Sequence, residues 1–448
     1  MLGYEVEQKS LTRQQKEAIG LLSIGTFLEY FDLMLYVHMA VLLNELFFPK
    51  ADPHTAAIYS AAAFCSTFVF RPFGALIFGW IGDNIGRKST VVITSFLMAI
   101  SCIVMAVSPT YAEKGLIATI IVTLCRIVQG VSSLGEIIGA ELYLTEMIKS
   151  PKKQYPFVSL VSSFATFGGV AALGMASLIT NFGVSWRIAF FIGAGIAITG
   201  GYARNRLRET QDFIDAKRQV QNSFSKAKVN IKILENDLLW KEKVNWKTSL
   251  AYFLIQCAWP VTFFFVYVYC SNILKNSFNY SAEEIINHNF IVSLIQVVGG
   301  LILRCYLSTI VHPLKILRTC LVVFSLFTIM TPCLLSYLRT PGELLLLQSI
   351  IIVFGLGDAP AAPIFFKHFP VFKRFTYSSF LYALSRALVY LITSFGLIYL
   401  VDYFGHWGIL VIVIPVSIGY GFGILHFERL EKNAENYPYK EIVDHPLK

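Results

Sequence analysis

Charged residues are scarce in this sequence: Asp, Glu, Lys and Arg together make up 15% of its 448 residues. An ordinary soluble domain carries about 25%. Hydrophobic residues account for 55%, and the mean hydropathy is +0.61. No water-soluble fold buries so large an apolar fraction. The composition therefore excludes a soluble globular protein and predicts a polytopic membrane protein.

Several chemical motifs are also missing. The eight cysteines all lie in apolar runs and no two have CxxC spacing, which argues against a disulfide framework or a zinc site. The sequence has no GxxxxGK[ST] phosphate loop and no HExxH motif, and its histidines lack metal-ligand spacing. No cleavable signal peptide is visible. We therefore expect no enzyme, no metal and no organic cofactor; an integral-membrane enzyme or receptor is the remote alternative.

Long apolar runs dominate what is present. Twelve runs are long enough to cross a bilayer as helices, and they fall into two sets of six. The predicted spans are 20–48, 54–81, 89–109, 115–147, 156–181, 186–205, 247–275, 284–308, 313–337, 341–366, 376–402 and 406–427. They predict an all-α protein with six-helix bundles at 1–205 and 247–430. A polar, basic loop, 206–246, joins the bundles, and a tail, 431–448, follows.

Lysine and arginine are distributed unevenly between the two sides of these spans. The N-terminus, the even-numbered loops and the C-terminus hold 28 of the 37 basic residues, whereas the odd-numbered loops hold four. The positive-inside rule then places both termini and the 206–246 loop in the cytoplasm. The net charge of +9 is thus a topology signal. We expect contact with the lipid bilayer and none with nucleic acid.

A very short polar turn joins the second and third spans. It begins at Gly79 and reads GWIGDNIGRK. A simple polar turn explains the basic residues Arg87 and Lys88, but not the joint spacing of Gly79, Asp83, Gly86 and Arg87. The segment resembles the GxxxDxxGR[RK] signature of the major facilitator superfamily. That resemblance implies twelve transmembrane helices in two six-helix bundles.

Other stretches resemble one family within that superfamily, the metabolite:proton symporters, which include proline/betaine, α-ketoglutarate, citrate and shikimate transporters. The matching stretches, each given with the family pattern, are GTFLEYFDLMLY from Gly25 (GxxLEWYDFxLY), RPFG from Arg71 (RPxGG), RIVQGVSSLGE from Arg126 (RxxQGxSxGGE), WRIAFF from Trp186 (WRIPFF) and FPVFKRFT from Phe369 (FPxxxRxT). The resemblance covers the whole chain.

The chain also departs from the family pattern. Tyr30 replaces the usual Trp, Leu134 replaces a glycine, and Ala189 replaces a proline. The second-half equivalent of the polar turn reads RCYLSTIVHPLK from Arg304 and lacks the DxxGRR core. The chain is therefore identified as a divergent member, and no single relative's substrate can be transferred to it.

Two carboxylates interrupt the first apolar run. Glu29 and Asp32 lie three residues apart on one helix face, and each costs roughly 2.5–3.5 kcal/mol on membrane-insertion scales. They either bond a neighbouring helix or line a water-filled route. The family's contact between helices one and four implies that Arg126, with Gln129 on its face, lies near them. We predict that these four residues form the proton-coupling and substrate site, with Asp32 ionised against Arg126 and Glu29 as the proton carrier. A purely structural ion pair is the alternative.

The resemblance further implies a gate made of charged residues at the cytoplasmic edge. In the superfamily such residues form a latch between helices that is made in one state and broken in the other. The predicted gating residues are Gly79, Asp83, Gly86, Arg87, Lys88 and Glu146. Because the second-half copy is degenerate, His312 and Lys315 are expected to matter less.

A further set of residues carries a weaker signal. These secondary candidates are Arg71, Tyr267, Arg304, Asp358 and Arg386. Asp358 sits in GLGDAPAAP, whose glycines and prolines should bend or unwind helix ten. It could pair with Arg386 or Arg304, and helix packing is an equal alternative. The aromatic run FFFVYVY from Phe263 could form a cage for a quaternary ammonium, although packing aromatics are commoner.

Together these patterns imply a proton-coupled symporter of a bacterial inner membrane, working by alternating access. The solute would be a small polar molecule, either a proline- or betaine-like zwitterion or an organic carboxylate, and the proton would be the coupling ion. An antiporter or facilitator on the same fold is the alternative. We expect the chain to act as a monomer.

Overall fold

A computed structural model describes residues 10–39, 43, 46–49, 67–204, 207, 214 and 244–434, and the structural statements below apply to this part of the chain. The first half contains six numbered helices and one short turn of helix before α4. They are α1 (Arg13–His38), α2 (Arg71–Asn84), α3 (Arg87–Val107), the short turn (Tyr111–Lys114), α4 (Leu116–Met147), α5 (Pro151–Phe182) and α6 (Trp186–Arg204).

The helices of the second half are more often interrupted. The first two are α7 (Trp246–Gln256 and Ala258–Phe263, a π-helical turn Phe264–Tyr269, then Cys270–Phe278) and α8 (Ala282–Gly300, a π-helical turn Leu301–Tyr306 and a 3₁₀ turn Leu307–Thr309). They are followed by α9 (Pro313–Ser336) and α10 (Pro341–Val353 and Ala362–Lys367). The last two are α11 (Arg374–Leu391, a π-helical turn Ile392–Gly396, then Leu397–Phe404) and α12 (a 3₁₀ turn Gly405–Trp407, then Gly408–Asn433).

Each predicted span overlaps one of these helices, and the prediction of an all-α polytopic fold is confirmed. Within the described residues, nine helices are long and apolar enough to cross a membrane. The second span is described only in part and the helix of the tenth span is interrupted, so neither is among these nine. The count of twelve membrane-crossing helices and the bundle bounds stay predictions, and most of the 206–246 loop and all of the tail beyond residue 434 lie outside the described residues.

The break in α10 occurs where the sequence predicts it. Helix ends at Val353 and resumes at Ala362, and the residues between carry the Gly and Pro positions around Asp358. Proline removes a backbone donor and clashes with the preceding turn, so the helix cannot run through. The unwound segment places Asp358 on the wall of a central cavity.

Helix pairs pack in a pattern that joins the two halves. Within the first half, α1 packs along α5 and α3 along α6; within the second, α7 packs along α12. Across the halves, α2 packs on α11 and α5 packs on α8. Small residues allow the closest approaches, and at Gly168 of α5 an added Cβ would overlap the carbonyl oxygen of Phe27 in α1.

That close approach gives a test of the α1–α5 packing with a neighbouring control. Gly168→Ala is expected to destabilise the protein by about 1–3 kcal/mol, because α1 must move to admit the methyl group. Gly169→Ala should have little effect, since its Cβ would lie 3.7 Å from Met34 Cγ, an ordinary contact. Thermal unfolding of both variants in detergent measures the difference. Equal melting temperatures would contradict this packing.

Candidate functional site

A cavity lies between the helices of the two halves. Helices α1, α2, α4 and α5 contribute one wall, and α7, α8, α10 and α11 contribute the other. Its charged lining residues are Arg71, Glu141, Arg304, Asp358 and Arg386. All five secondary candidates predicted from the sequence therefore lie on this cavity, with Tyr267 as the uncharged one.

Arg71 is the most distinctive cation of the cavity wall. It is 2% exposed, and its guanidinium carbon lies 4.6 Å from the centre of the Phe68 ring. Within the described residues, its Nε and Nη2 groups have no hydrogen-bond acceptor and no carboxylate pairs with it. The cavity thus presents a buried positive charge whose donors are unsatisfied.

The second-half charges are organised by Gln256. Its side-chain amide donates to Asp358 Oδ2 at 2.8 Å, while Arg386 donates to its backbone carbonyl and to its Oε1. The sequence suggested a direct ion pair of Asp358 with Arg386 or Arg304, and the described residues contain neither pair. Gln256 instead bonds both the Asp358 carboxylate and Arg386. Arg304 instead lies 5.6 Å from the Trp259 ring.

Aromatic side chains form much of the remaining cavity wall. Tyr267 lines it and hydrogen-bonds Ser293 and Gln296 at 2.9 and 2.7 Å. The predicted cage from the α7 aromatic run does not form as one cluster. The run divides among faces: Phe263 and Tyr267 line the cavity, Phe265 is buried in the core, and Phe264 lines a separate pocket.

Glu29 and Asp32 are not among the residues that line this cavity, so their predicted placement is wrong. Both are buried, but Glu29 lines a small pocket between α1, α3 and α6. Asp32 packs against Gly193 of α6, where no Cβ would fit. Its carboxylate lies near the thiol of Cys102 in α3, and neither carboxylate oxygen has a hydrogen-bond partner within the described residues. The face of α1 that carries these acids is turned toward α3 and α6.

Arg126 does not form the predicted ion pair with Asp32 in the described structure. Its guanidinium lies 4.1 Å from the Tyr36 ring centre and donates to Gln129 Oε1 at 3.1 Å. Gln129 in turn contacts Cys102 Sγ at 3.5 Å. A chain of contacts through Gln129 and Cys102 therefore connects Arg126 to Asp32, in place of a direct bond.

The predicted gating charges are brought together at one end of the helices. Arg87 Nη1 lies 2.9 Å from Asp83 Oδ1. Its Nη2 and Nε lie 3.2 and 3.4 Å from the Glu146 carboxylate. All three side chains are buried. Charged groups in such a dry setting interact strongly, and removing one leaves its partner uncompensated.

These charges also hold the start of α11, which belongs to the second half. Arg374 Nη1 lies 3.2 Å from Glu146 Oε1. The Asp83 carboxylate accepts the backbone N–H groups of Phe375 and Thr376 at 3.1 and 2.8 Å, so it satisfies free donors at a helix N-terminus. This charge latch consists of Asp83, Arg87, Glu146 and Arg374.

Glycine is required at the two glycine positions of the gating motif for different physical reasons. At Gly79, an added Cβ would lie 2.6 Å from Thr376 Cα, so only glycine lets α2 meet α11 here. Gly86 precedes α3 with φ 150° and ψ 154°, a conformation that side chains disfavour. Lys88 lies in the first turn of α3 and is half-buried.

The second-half copy of this turn is built differently. His312 caps α9 by accepting the N–H of Leu314 at 3.3 Å, and its ring packs near Tyr155 of α5. Burial lowers the pKa of His312 to about 4, with the Lys315 charge acting in the same direction and Glu431 opposing. A neutral cap therefore replaces the charged pairs of the first-half turn.

His312 gives a prediction about pH. Because its folded pKa is below the ordinary 6.5, its contribution to stability is complete above about pH 6.5 and is lost as the pH falls toward 4. His312→Asn keeps a capping side chain and should leave transport within about twofold of wild type between pH 6.5 and 8. Transport lost at pH 7.5 in a folded variant would contradict the neutral-cap assignment.

Glu141 is the cavity residue that the sequence analysis missed. It lies in α4, is 3% exposed, and is a lone carboxylate in an apolar stretch, IIGAELYL. The insertion cost that singled out Glu29 applies to it equally, so the signal was present in the sequence. Tyr30, Trp259 and Tyr382, which also line the cavity, carry no such signal because aromatics are common in spans.

Comparisons with known proteins agree on one family. Residues 22–367 match the model of the Major Facilitator Superfamily. The chain is 30% identical over 298 residues to the proline/betaine transporter of Salmonella typhimurium, covering 64% of this chain and 58% of that protein. It is 34% identical over 248 residues to the inner membrane metabolite transport protein YhjE of Escherichia coli, covering 54% of each. The matches thus span less than two thirds of these relatives' length.

Solved structures match the fold over a larger share of the chain. The proton:xylose symporter XylE bound to 6-bromo-6-deoxy-D-glucose superposes with a TM-score of 0.73. That match covers 90% of this chain and 94% of XylE at 14% identity. The human organic anion transporter MFSD10 gives a TM-score of 0.61 over 93% of this chain and 99% of that one, also at 14% identity. At such identities the likeness concerns the fold alone.

Proposed function

The chain belongs to the major facilitator superfamily, and we propose that it is a secondary transporter for a small polar solute with a carboxylate group. The solute would be taken up together with a proton, by alternating access. It is a multi-pass membrane protein, and its family consists of transporters, which confirms the prediction that it is not an enzyme. We place it in a bacterial inner membrane, with both termini cytoplasmic, acting as a monomer.

The observation that carries the proposal is the state of Arg71. A guanidinium remains charged in proteins, and burying it without an anion is costly. Arg71 lines the cavity with two donor groups that have no acceptor among the described residues. A carboxylate is the planar acceptor that fits a guanidinium best. Both zwitterions and organic carboxylates supply one, and the relatives named proline/betaine transporters are consistent with the first.

Alternating access is supported by contacts at the latch end of the cavity. The charge latch links α2, α3 and α4 to the start of α11, so the halves are held together there. The basic-residue distribution assigns this end to the cytoplasm. The structure then corresponds to a state closed to the cytoplasm. Opening would require the buried pairs of the latch to separate.

Proton coupling rests on carboxylates held within membrane-spanning helices. Glu29 and Asp32 remain candidates despite their distance from the cavity wall, because Asp32 connects to Arg126 through Cys102 and Gln129. Carboxylates that burial disfavours in the charged form can take up a proton. An antiporter or facilitator would keep the same cavity and latch, so only a flux measurement separates these functions.

Uptake into proteoliposomes with an imposed pH gradient tests the proposal. Proline, glycine betaine, α-ketoglutarate and citrate would serve as labelled probes, with protein-free liposomes as the control. Acidic outside medium should drive accumulation of at least one probe above its equilibrium level, and a protonophore should abolish that accumulation. Uptake that stops at equilibrium would indicate a facilitator. Accumulation driven by an alkaline exterior would indicate an antiporter.

A further inference from the structure

Glu141 occupies a position that the proposed solute and latch contacts leave unused. Its side chain is 3% exposed and lines the cavity together with Ser162 of α5. Its Oε2 has no hydrogen-bond partner, and no Lys or Arg forms an ion pair with it in the described residues. An ionised carboxylate in this setting would be poorly compensated.

Another carboxylate lines the same cavity from the opposite half. Asp358 lies in the unwound segment of α10 and shares the cavity lining with Glu141 and with Arg386 of α11. Asp358 is itself held by the Gln256 amide, which suits an ionised carboxylate. Two close carboxylates in a medium of low polarity cannot easily both be ionised. With Asp358 charged, the closed arrangement favours a neutral Glu141.

A third group completes this cluster. Tyr252 of α7 is fully buried, its hydroxyl has no hydrogen-bond partner in the described residues, and it interacts electrostatically with both Glu141 and Asp358. Its ring packs against Phe365 and Phe369, and the Phe369 carbonyl accepts a hydrogen bond from Arg374 of the charge latch. The cluster therefore sits where the cavity would meet cytoplasmic water once the latch separates.

We propose that Glu141 carries the coupling proton, with Asp358 across the two halves as the opposing charge. This rests on the proposed proton-coupled uptake. Glu141 takes a proton from outside water while the cavity is open to the outside. A solute carboxylate bound to Arg71 adds negative charge to the cavity, so Glu141 keeps that proton and stays neutral. Separation of the latch hydrates Glu141, and the same proton leaves to cytoplasmic water.

The decisive variant is Glu141→Gln, which resembles the protonated side chain in shape and charge. Accumulation of the transported probe driven by a pH gradient should fall at least tenfold, whereas exchange of labelled for unlabelled probe at equal pH should persist. Glu343→Gln is the matched control, since Glu343 is an exposed carboxylate in the capping box of α10. It should behave as wild type in both assays.

A second variant distinguishes a loss of proton coupling from a simple folding defect. Asp358→Asn removes the opposing charge, which should make Glu141 release its proton more readily and shift the pH optimum of accumulation to lower pH. The groups facing Glu141 from the other helices are Asp358, Arg386, Tyr252 and Ser162. A purely structural Glu141 would leave that optimum unmoved.

The outcomes separate this assignment from the proposed function. If wild type accumulates the probe and Glu141→Gln accumulates it equally, the Glu141 assignment is overturned and proton coupling stands. Loss of accumulation in Glu29→Gln or Asp32→Asn, with Glu141→Gln unaffected, would place the proton on α1. If wild type shows no gradient-driven accumulation, both the coupling and this assignment fail.

Discussion

Asp83→Ala is expected to release the charge latch and shift the protein toward a state open to the cytoplasm. The substitution removes one of the two carboxylate partners of Arg87 and both acceptors of the α11 backbone donors. Breaking a buried pair by removing one member costs about 3–5 kcal/mol. A loss of that size confined to the closed state would shift the equilibrium between the closed and open states by about 100-fold or more.

The readout is the accessibility of a cysteine placed in the cavity. Thr166→Cys, in α5 on the cavity wall, would be labelled from the cytoplasmic side in inverted vesicles. Labelling should be faster with Asp83→Ala than without it, and uptake should fall at least tenfold. Lys152→Ala, which changes an exposed basic residue in the first turn of α5, is the control. Unchanged labelling together with full uptake in Asp83→Ala would reject the latch.

Arg71→Gln is expected to weaken solute binding severely while leaving the fold intact. The guanidinium has no carboxylate partner in the described structure, so its removal leaves no buried anion uncompensated. Losing one member of a desolvated charge pair with the solute costs about 2–5 kcal/mol. The Kd should therefore rise at least about 30-fold.

A matched arginine distinguishes this effect from a general change in charge. Arg339→Gln removes an exposed guanidinium from the loop before α10 and should leave the Kd unchanged. Arg71→Lys keeps the charge but loses the planar pair of donors, so an intermediate Kd is expected. Binding by Arg71→Gln that matches wild type would place the solute carboxylate elsewhere.

Features with a local physical cause were predictable from the sequence. The spans follow from apolar runs, and the α10 break follows from glycines and prolines around Asp358. The latch was predictable in part, because the short turn fixes Asp83 beside Arg87. The contacts of the latch with α11 were not predictable, since 228 residues separate Glu146 from Arg374 and 292 separate Asp83 from Phe375.

The rotation of each helix could not be predicted in the same way. Beyond its polar first turns, helix α1 is mostly apolar apart from Glu29 and Asp32, so the sequence does not indicate which face meets the cavity. That rotation is set by small residues on neighbouring helices. Gly193 of α6 leaves room for the Asp32 carboxylate, and Gly168 of α5 admits the α1 backbone at Phe27. These contacts turn Glu29 and Asp32 away from the cavity.

Binding of a carboxylate and of its neutral analogue tests directly whether Arg71 holds the solute carboxylate. Purified wild-type protein and Arg71→Gln would each be titrated with the transported probe and with the corresponding carboxamide, which keeps the shape but removes the charge. For proline the pair is proline and prolinamide. We expect wild type to bind the acid at least about 30-fold more tightly than the amide, and Arg71→Gln to lose this preference. Equal binding of acid and amide by wild type, or an unchanged preference in Arg71→Gln, would contradict this role of Arg71.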